Sequence, residues 1–136
     1  MNAGKLIRII LDAHPATQAV YLFGSHGTEY ERPESDVDIA VLLPPAVSGS
    51  PDPDEWLSLA ARLSLAAERP CDLVNLRLVS TVFQFGIVSN GRVLYCADQD
   101  ALSIFEMLAI SFYQKLNEER KEIVEDFIKT GRAYDV

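Results

Sequence analysis

The sequence predicts a single mixed α+β domain, in which a small mixed sheet is packed by helices and a long helix ends the chain. Three observations predict this class. The chain has 136 residues, which is enough for one hydrophobic core and too few for two. Short, nearly all-apolar runs alternate with segments whose apolar residues recur at helical spacing. The one stretch rich in Pro, Gly and Ser, residues 44–53, is short enough for a surface loop, so we place the domain at residues 1–136 without an internal boundary.

The first three predicted elements are a helix and two strands. Residues 3–13 carry apolar side chains at helical spacing and end just before Pro15, where a helix is expected to stop. The runs 19–23 and 37–43 are nearly all apolar, and Gly24 closes the first of them. Such runs are typical of short strands that are covered on both faces.

A second helix and a third strand follow in the sequence. Asp52 can cap the helix, and Pro70 ends it. Residues 71–76 are another short apolar run and predict a strand. The stretch 80–90 is ambiguous, because its β-branched and aromatic residues favour a strand, whereas its end at Asn90-Gly91 suits either a hairpin turn or a helix cap.

The last two predicted elements are a strand at residues 92–96 and a long helix from about residue 99 to residue 130. Such a helix would be about 48 Å long, whereas a domain of this size has a diameter of roughly 35 Å. Its last turns should therefore either extend beyond the domain or bend back. An extended segment that carries Ile123 and Phe127 would need a partner to cover it, so we predict partner contact for the C-terminal helical segment 99–131.

Charge and cysteine content exclude several classes of protein. Twelve Lys and Arg against twenty Asp and Glu leave a net charge of −8, so direct binding to nucleic acid is not expected, since it needs a basic face. No stretch approaches the length of a membrane span and no export signal is recognisable, so we expect a cytoplasmic protein. Cys71 and Cys96 have no second pair nearby, which indicates two buried thiols rather than a disulfide framework or a zinc site.

The strongest chemical signal joins the ends of the first two strands. Gly24-Ser25 closes the first strand, and Asp36 and Asp38 flank the start of the second after ten intervening residues. Side chains alternate along a strand, so both carboxylates point the same way while Val37 points into the core. Two such carboxylates repel each other unless a cation lies between them. Asp72 opens the third strand, and it becomes the third acid of the cluster if that strand lies beside the second.

This arrangement suits a nucleotide held together with metal ions. A strand that runs into a glycine lets a phosphate approach the backbone, and Ser25 adds a hydroxyl donor. Three aspartates and a nucleoside triphosphate bring about seven negative charges, so metal is needed for binding as well as for chemistry. Two divalent ions about 3.5–4 Å apart serve in-line nucleotidyl transfer. Taken alone, an Asp-x-Asp pair is more often a solvated pair or a helix cap, and Asp72 alone is as readily an exposed carboxylate at a strand end.

The glycine-serine motif, the ten-residue spacing and the Asp-x-Asp motif resemble the pattern of the polymerase-beta-like nucleotidyltransferase superfamily. The chain is similar to the minimal, single-domain members, and in particular to the MntA-type antitoxins of HEPN/MNT toxin–antitoxin modules. This similarity runs through the segments 20–25, 35–42, 72–77, 80–82 and 112–116. It implies a minimal nucleotidyltransferase palm, with a helix rather than a strand at residues 80–90.

The resemblance also implies an activity and a site. Asp36, Asp38 and Asp72 would be the catalytic carboxylates and the ligands of two Mg²⁺ ions, and Gly24 and Ser25 would contact the triphosphate of ATP. The chain would then be a protein adenylyltransferase that moves AMP from ATP to a tyrosine of a HepT-type toxin, a HEPN-domain ribonuclease, with which it forms a hetero-oligomer. One departure is that many relatives carry Arg or Lys shortly after the Gly-Ser motif, whereas this chain has His-Gly-Thr-Glu at residues 26–29.

Two other functions are compatible with the sequence. The chain would act as an antitoxin without catalysis if it inactivated the toxin by binding and covering it, which its acidic balance and apolar last helix favour. A small-molecule nucleotidyltransferase is the third reading, but it would need an acceptor-binding second domain, for which the chain has little room. The acceptor, the number of AMP units, the nucleotide preference and the stoichiometry of a complex are not specified by the residues.

Overall fold

A computed structural model describes residues 2–24, 36–45 and 51–130 of the chain. In chain order its elements are α1 (Ala3–Ala13), β1 (Ala19–Phe23), β2 (Val37–Leu42), α2 (Pro53–Ala67), β3 (Cys71–Asn75), α3 (Thr81–Asn90), β4 (Arg92–Cys96) and α4 (Gln99–Thr130). Ser25, one of the two predicted triphosphate contacts, lies outside the described residues, as do residues 26–35.

The strands form one mixed sheet in the order β3-β2-β1-β4. β1 is antiparallel to β2 and to β4, whereas β2 and β3 are parallel. Parallel strands need a crossover between them, and α2 lies in that connection. As a result, the end of β1 and the beginnings of β2 and β3 lie at the same end of the sheet, where these strands begin or finish. The sheet and its helices confirm the predicted α+β class.

Hydrophobic residues pack on both faces of the sheet. α1 and α2 cover one face, where Ile10 and Leu59 belong to a cluster with Val37. α3 and α4 cover the other face, where Ile87 and Phe105 pack with residues of the central strands. β1 and β2 are the two central strands and are buried on both sides, which explains why their sequences are nearly all apolar.

The stretch 80–90 is the segment where strand propensity gives the wrong prediction. It forms the helix α3, as the family resemblance implied. The side chain of Ser80 accepts a hydrogen bond from the backbone N–H of Phe83 and caps the helix. Gln84 donates to the carbonyl of Leu76 at 3.0 Å, and Ile87 is buried against the sheet. Capping and tertiary contacts therefore outweigh the propensity of the β-branched and aromatic residues.

Most of the remaining elements begin and end within about a residue of their predicted bounds, but α2 ends at Ala67 with Glu68 as a left-handed cap, before the Pro70 that was predicted to end it. Asp52 caps α2, which begins at Pro53 as predicted. β2 and β3 each end one residue earlier than predicted, before Leu43 and Leu76. Both leucines are nevertheless buried, and the backbone N–H of Leu76 still donates to the carbonyl of Val41 in β2 at 3.0 Å.

Both cysteines are free thiols. They are half-buried, whereas the sequence predicted that they would be buried. Cys71 lies on β3 and Cys96 on β4, and these are the two edge strands of the sheet, where side chains have fewer neighbours. Burial raises the pKa of the Cys71 thiol, and a hydrogen bond with Ser64 and the charge of Arg69 oppose that effect. The thiol is therefore held in its protonated form at neutral pH.

α4 is one continuous helix of 32 residues, which confirms the predicted long C-terminal helix. Its buried residues, Leu102, Phe105 and Ala109, all lie in the first half. Val124 and Phe127 lie in the second half, with 54% and 47% of their surface exposed. The second half thus extends beyond the domain, which is one of the two expected outcomes. Among the described residues, no helix combines the length and the apolar character that crossing a bilayer requires.

Candidate active site

The three acidic residues singled out in the sequence lie at one edge of the sheet. In the parallel register of β2 and β3, Asp38 is directly opposite Asp72. Asp36 comes just before β2, two residues before Asp38. The third strand therefore does lie beside the second, and Asp72 is a neighbour of the Asp-x-Asp pair.

The strand register also shows which face of the sheet carries these carboxylates. Asp38 pairs with Phe23 of β1, and side chains of directly paired residues point to the same face. The ring of Phe23 meets the ring of Phe83 of α3 edge to face, with 5.7 Å between the centroids. Asp38 and Asp72 thus lie on the face covered by α3 and α4. Val37 is fully buried on the opposite face, as its position between the two aspartates predicted.

Asp38 is the centre of the site in electrostatic terms. Its side chain is half-buried, whereas Asp36 and Asp72 are exposed. Burial raises the pKa of Asp38, and the negative charges of Asp72 and then Asp36 raise it further. A carboxylate that is partly buried among carboxylates is one that a bound cation would stabilise strongly.

Gly24 shapes the space beside Asp38. Its φ angle is +79°, in the left-handed region that favours glycine. A Cβ atom added at this position would overlap the carboxylate of Asp38. The end of β1 therefore places backbone without a side chain against a carboxylate. A phosphate can approach the main chain here, with a cation between the negative charges of the phosphate and of Asp38.

The donor set of the site fits Mg²⁺, which prefers oxygen ligands and binds through one or two carboxylates together with substrate phosphates. Within the described part of the chain, no three acidic, histidine or cysteine side chains are grouped closely enough to hold one ion by themselves. The three aspartates are therefore neighbours and not a closed cage. Like charges favour separate positions unless a cation draws them together, and a triphosphate would complete the coordination.

An apolar cavity of about 440 Å³ opens next to Gly24. Phe23 and Gly24 form part of its wall, and the rest of the described wall comes from one side of α3. The residues of α3 that contribute are Val82, Phe83, Gly86, Ile87 and Asn90. Sequence reasoning assigned these residues no role. Their spacing along a helix would have placed them on one face, but only if residues 80–90 had first been assigned as a helix.

Arg77 belongs to the segment 72–77 that carries the family resemblance, but it lies away from the acidic cluster, beyond the other end of β3. Its guanidinium donates hydrogen bonds to the carbonyl of Leu43 and, at 2.8 Å, to the side-chain oxygen of Gln18. The same group lies 5.6 Å from the centre of the Phe105 ring. Arg77 therefore joins the sheet to α4 and is not placed to contact a phosphate beside Asp38.

Comparison with known proteins identifies the family. Residues 5–100 match the model of the polymerase beta nucleotidyltransferase family. The protein adenylyltransferase MntA of Shewanella oneidensis is 36% identical over 133 residues, which cover 98% of this chain and 92% of that protein. The chain belongs to the polymerase beta nucleotidyltransferase family. The resemblance to MntA-type members of that family is confirmed along nearly the whole chain.

Solved structures of nucleotidyltransferases of this type have the same fold. A chain of a toxin–antitoxin crystal structure with AMP-PNP superposes with a TM-score of 0.79 at 35% identity, covering 94% of this chain and 99% of that chain. A chain of a complex of a tri-AMPylated Shewanella oneidensis HEPN toxin with its MNT antitoxin has a TM-score of 0.74 at 35% identity, with coverages of 93% and 96%. These matches confirm the minimal nucleotidyltransferase palm with its long C-terminal helix.

Proposed function

We propose that the chain is an antitoxin that transfers AMP from ATP to a tyrosine of a HEPN-domain toxin of the HepT type and thereby inactivates it. The observation that carries the proposal is the pairing of Asp38 with Asp72 beside Gly24, in a chain 36% identical to a protein adenylyltransferase. One related structure contains AMP-PNP and another contains a tri-AMPylated HEPN toxin, which supports ATP as the donor and such a toxin as the acceptor. The reaction would take place in the cytoplasm, where ATP is available.

In the proposed reaction the phenolic oxygen of the acceptor tyrosine attacks the α-phosphorus of ATP. A phosphorus–oxygen bond forms to the tyrosine, the bond to the oxygen that bridges to the β-phosphorus breaks, and pyrophosphate leaves with the electron pair of that bond. Asp72 is exposed next to Asp38, so it is placed to orient the phenol and to accept its proton. Proton transfer to a positioned carboxylate makes the phenolic oxygen a better nucleophile.

The remaining residues of the site hold the donor. Asp36 and Asp38, with Asp72 as the third carboxylate, would bind the two Mg²⁺ ions, which neutralise charge on the phosphates when bound. The backbone at Gly24 would contact the triphosphate, and Ser25, the next residue in the sequence, is the second proposed contact. Partial burial of Asp38 limits competition from water for these charges.

The experiment that tests this function is a transfer assay with the natural partner. We expect the purified chain, mixed with Mg²⁺, ATP labelled at the α-phosphate and its cognate HEPN-domain toxin, to label that protein on tyrosine. ATP labelled at the γ-phosphate should give no label, because AMP contains only the α-phosphate. Chelation of Mg²⁺ should abolish labelling. No label on an unmodified acceptor, with both proteins folded, would overturn the proposal.

A second candidate is inhibition of the toxin by binding alone, and the exposed second half of α4 favours it. That segment leaves Val124 and Phe127 without cover in the described structure. The net charge of −8 would also favour association with a basic, RNA-binding toxin. A variant with all three aspartates changed to asparagine distinguishes the two functions. Protection of cells by this variant as good as that by wild type would favour binding alone.

The contribution of α4 to partner binding can be tested separately from catalysis. We expect the double substitution Val124→Asp and Phe127→Asp to weaken toxin binding at least tenfold, because burying two such apolar side chains in an interface contributes about 1.5–3 kcal/mol each. The melting temperature should not change, since both side chains are exposed. Isothermal titration calorimetry measures the affinity, and thermal unfolding measures the stability.

The matched control adds the same two charges to the same helix at polar positions, Gln114→Asp and Asn117→Asp. Both side chains are exposed, so we expect the control to bind the toxin with close to wild-type affinity. Equal affinities of the test variant, the control and the wild type would show that the toxin does not cover the second half of α4.

A further inference from the structure

We propose that Trp56 and Ser64 of α2 are positioning residues for AMP transfer, because they hold the outer edge of β3 on either side of Asp72. The inference rests on the proposed function, since it takes Asp72 to be the group that orients the phenol and accepts its proton. Asp72 lies on an outermost strand of the sheet, so β2 supports it from one side only. A strand in this position opens at a lower free energy than a central strand unless something else holds it.

The parallel pairing of β2 with β3 determines which backbone groups of β3 point away from the sheet. The N–H of Val37 donates to the carbonyl of Pro70 at 2.8 Å, at the start of the pairing. Alternate residues of a parallel strand bond to the neighbouring strand, so Asp72 is the next residue of β3 that bonds to β2. The backbone groups of Cys71 and Leu73 therefore point outward, away from β2.

α2 binds one of these outward-pointing groups on each side of Asp72. The backbone N–H of Cys71 donates to Oγ of Ser64 at 2.9 Å. The indole Nε1–H of Trp56 donates to the backbone carbonyl of Leu73 at 3.2 Å. The residues just before and just after Asp72 are thus both bonded to one helix, which takes the place of the neighbouring strand that an edge strand lacks.

Both side chains of α2 are themselves held in place. The hydroxyl of Ser64 donates to the carbonyl of Ala60 at 2.9 Å, which leaves its oxygen as an acceptor for β3. The indole of Trp56 packs against the hydrophobic cluster beneath α1 and α2. Its ring also lies 5.6 Å, centre to centre, from the ring of His14 at the end of α1. The direction of the indole N–H is therefore set by packing before it meets β3.

The two side chains act from the face of the sheet opposite to the acidic cluster. Cys71 and Leu73 pack with the cluster beneath α1 and α2, whereas Asp72 lies on the face covered by α3 and α4. Trp56 and Ser64 are thus separated by the sheet from a nucleotide bound beside Asp72. Any effect of these two residues on transfer has to pass through the position of β3, which makes them positioning residues and not catalytic residues.

Trp56→Phe tests the proposal, because phenylalanine keeps an aromatic ring and removes the N–H donor. We expect the transfer rate at saturating ATP and toxin to fall roughly tenfold or more, since a small displacement of a reacting group lowers the rate strongly. The KM for ATP should stay nearly unchanged, because Asp38 and Gly24 belong to the inner strands. Ser64→Ala should lower the rate in the same way.

The control is Ile10→Val, which removes one methylene group from the same hydrophobic cluster and leaves both hydrogen bonds to β3 intact. It should lower the stability of the protein and keep the wild-type transfer rate. A double-mutant cycle then separates positioning from a general loss of structure. Asp72→Asn lacks the group that is positioned, so adding Trp56→Phe should hardly lower its residual transfer rate further.

Hydrogen exchange measured by NMR gives a readout that does not depend on transfer. The chain has one tryptophan, so its indole N–H gives a single signal, and slow exchange of that proton in wild type reports the bond to Leu73. We expect the backbone amide of Asp72 to exchange faster in Trp56→Phe, with a much smaller change at Val20 of the central strand β1.

Each result decides the proposal. An unchanged exchange rate at the Asp72 amide would overturn it, as would an equal loss of transfer in the wild-type and Asp72→Asn backgrounds or the same loss in Ile10→Val. If Trp56→Phe does not fold, Ser64→Ala undergoes the same measurements with the same expected results. A wild-type chain that labels no toxin would contradict the proposed transfer, and the exchange rates would then decide by themselves whether α2 holds β3 in place.

Discussion

Asp38→Asn is expected to abolish AMP transfer, with a loss of roughly a thousandfold or more, and to leave the protein folded and slightly more stable. Asparagine keeps the shape of the side chain and removes the charge at the centre of the acidic cluster. The pKa of Asp38 is raised by burial and by the charges of Asp72 and Asp36. The folded protein therefore holds the proton more tightly than the unfolded chain does, and ionisation of Asp38 lowers stability.

The pH dependence of this effect has a definite sign. The destabilising contribution of Asp38 should be absent below the ordinary pKa of a carboxyl group, develop as the pH rises through the raised pKa, and be complete only above it. Thermal unfolding should thus show Asp38→Asn above wild type in melting temperature at neutral pH, with the difference disappearing in acid. Asp12→Asn, an exposed carboxylate on α1, is the control and should change neither transfer nor stability. Retained transfer, or a clear drop in stability at neutral pH, would contradict this account of Asp38.

Gly24→Ala is expected to abolish transfer and also to lower the free energy of unfolding, by about 1–3 kcal/mol. The positive φ angle is unfavourable for alanine, and the new Cβ would displace the carboxylate of Asp38. Gly4→Ala on α1 is the matched control. Its Cβ would come no closer than 3.5 Å to another atom, so stability should be unchanged or slightly higher.

A double-mutant cycle separates the two causes of instability in Gly24→Ala. If displacement of the carboxylate contributes, the substitution should destabilise the protein less in an Asp38→Ala background, because the overlapping group is gone. The backbone strain should remain in both backgrounds. If the substitution lowers the free energy of unfolding equally in the two backgrounds, the whole effect is due to the φ angle. A Gly24→Ala variant that is as stable as wild type would contradict the geometry at Gly24.

The sequence predicts the central strands well because burial on both faces leaves an unmistakable apolar run. It predicts α3 poorly from its own residues. The helix there depends on the cap at Ser80 and on contacts with a segment far along the chain, such as the stacked rings of Phe85 and Tyr113, whose centroids are 3.8 Å apart. Local propensity cannot report such contacts, and the helix followed only from resemblance to a family.

The candidate site divides in the same way. The alternation of Asp36, Val37 and Asp38 is a local property of a strand, and it is readable from three residues. The position of Asp72 depends on the parallel pairing of β2 with β3, which a sequence pattern cannot specify by itself. The cavity at Gly86 is even harder to predict from the sequence, because its lining residues form one surface only when residues 81–90 are helical.

The position of β3 at the edge of the sheet has a consequence for how activity would fail. Asp72 is carried by this outermost strand, whereas Asp38 and Gly24 belong to the inner pair β1 and β2. Outer strands separate from a sheet at lower free energy than inner ones. Heat or denaturant that detaches only β3 would displace the proposed proton acceptor first. Such molecules would still bind nucleotide but would no longer transfer AMP.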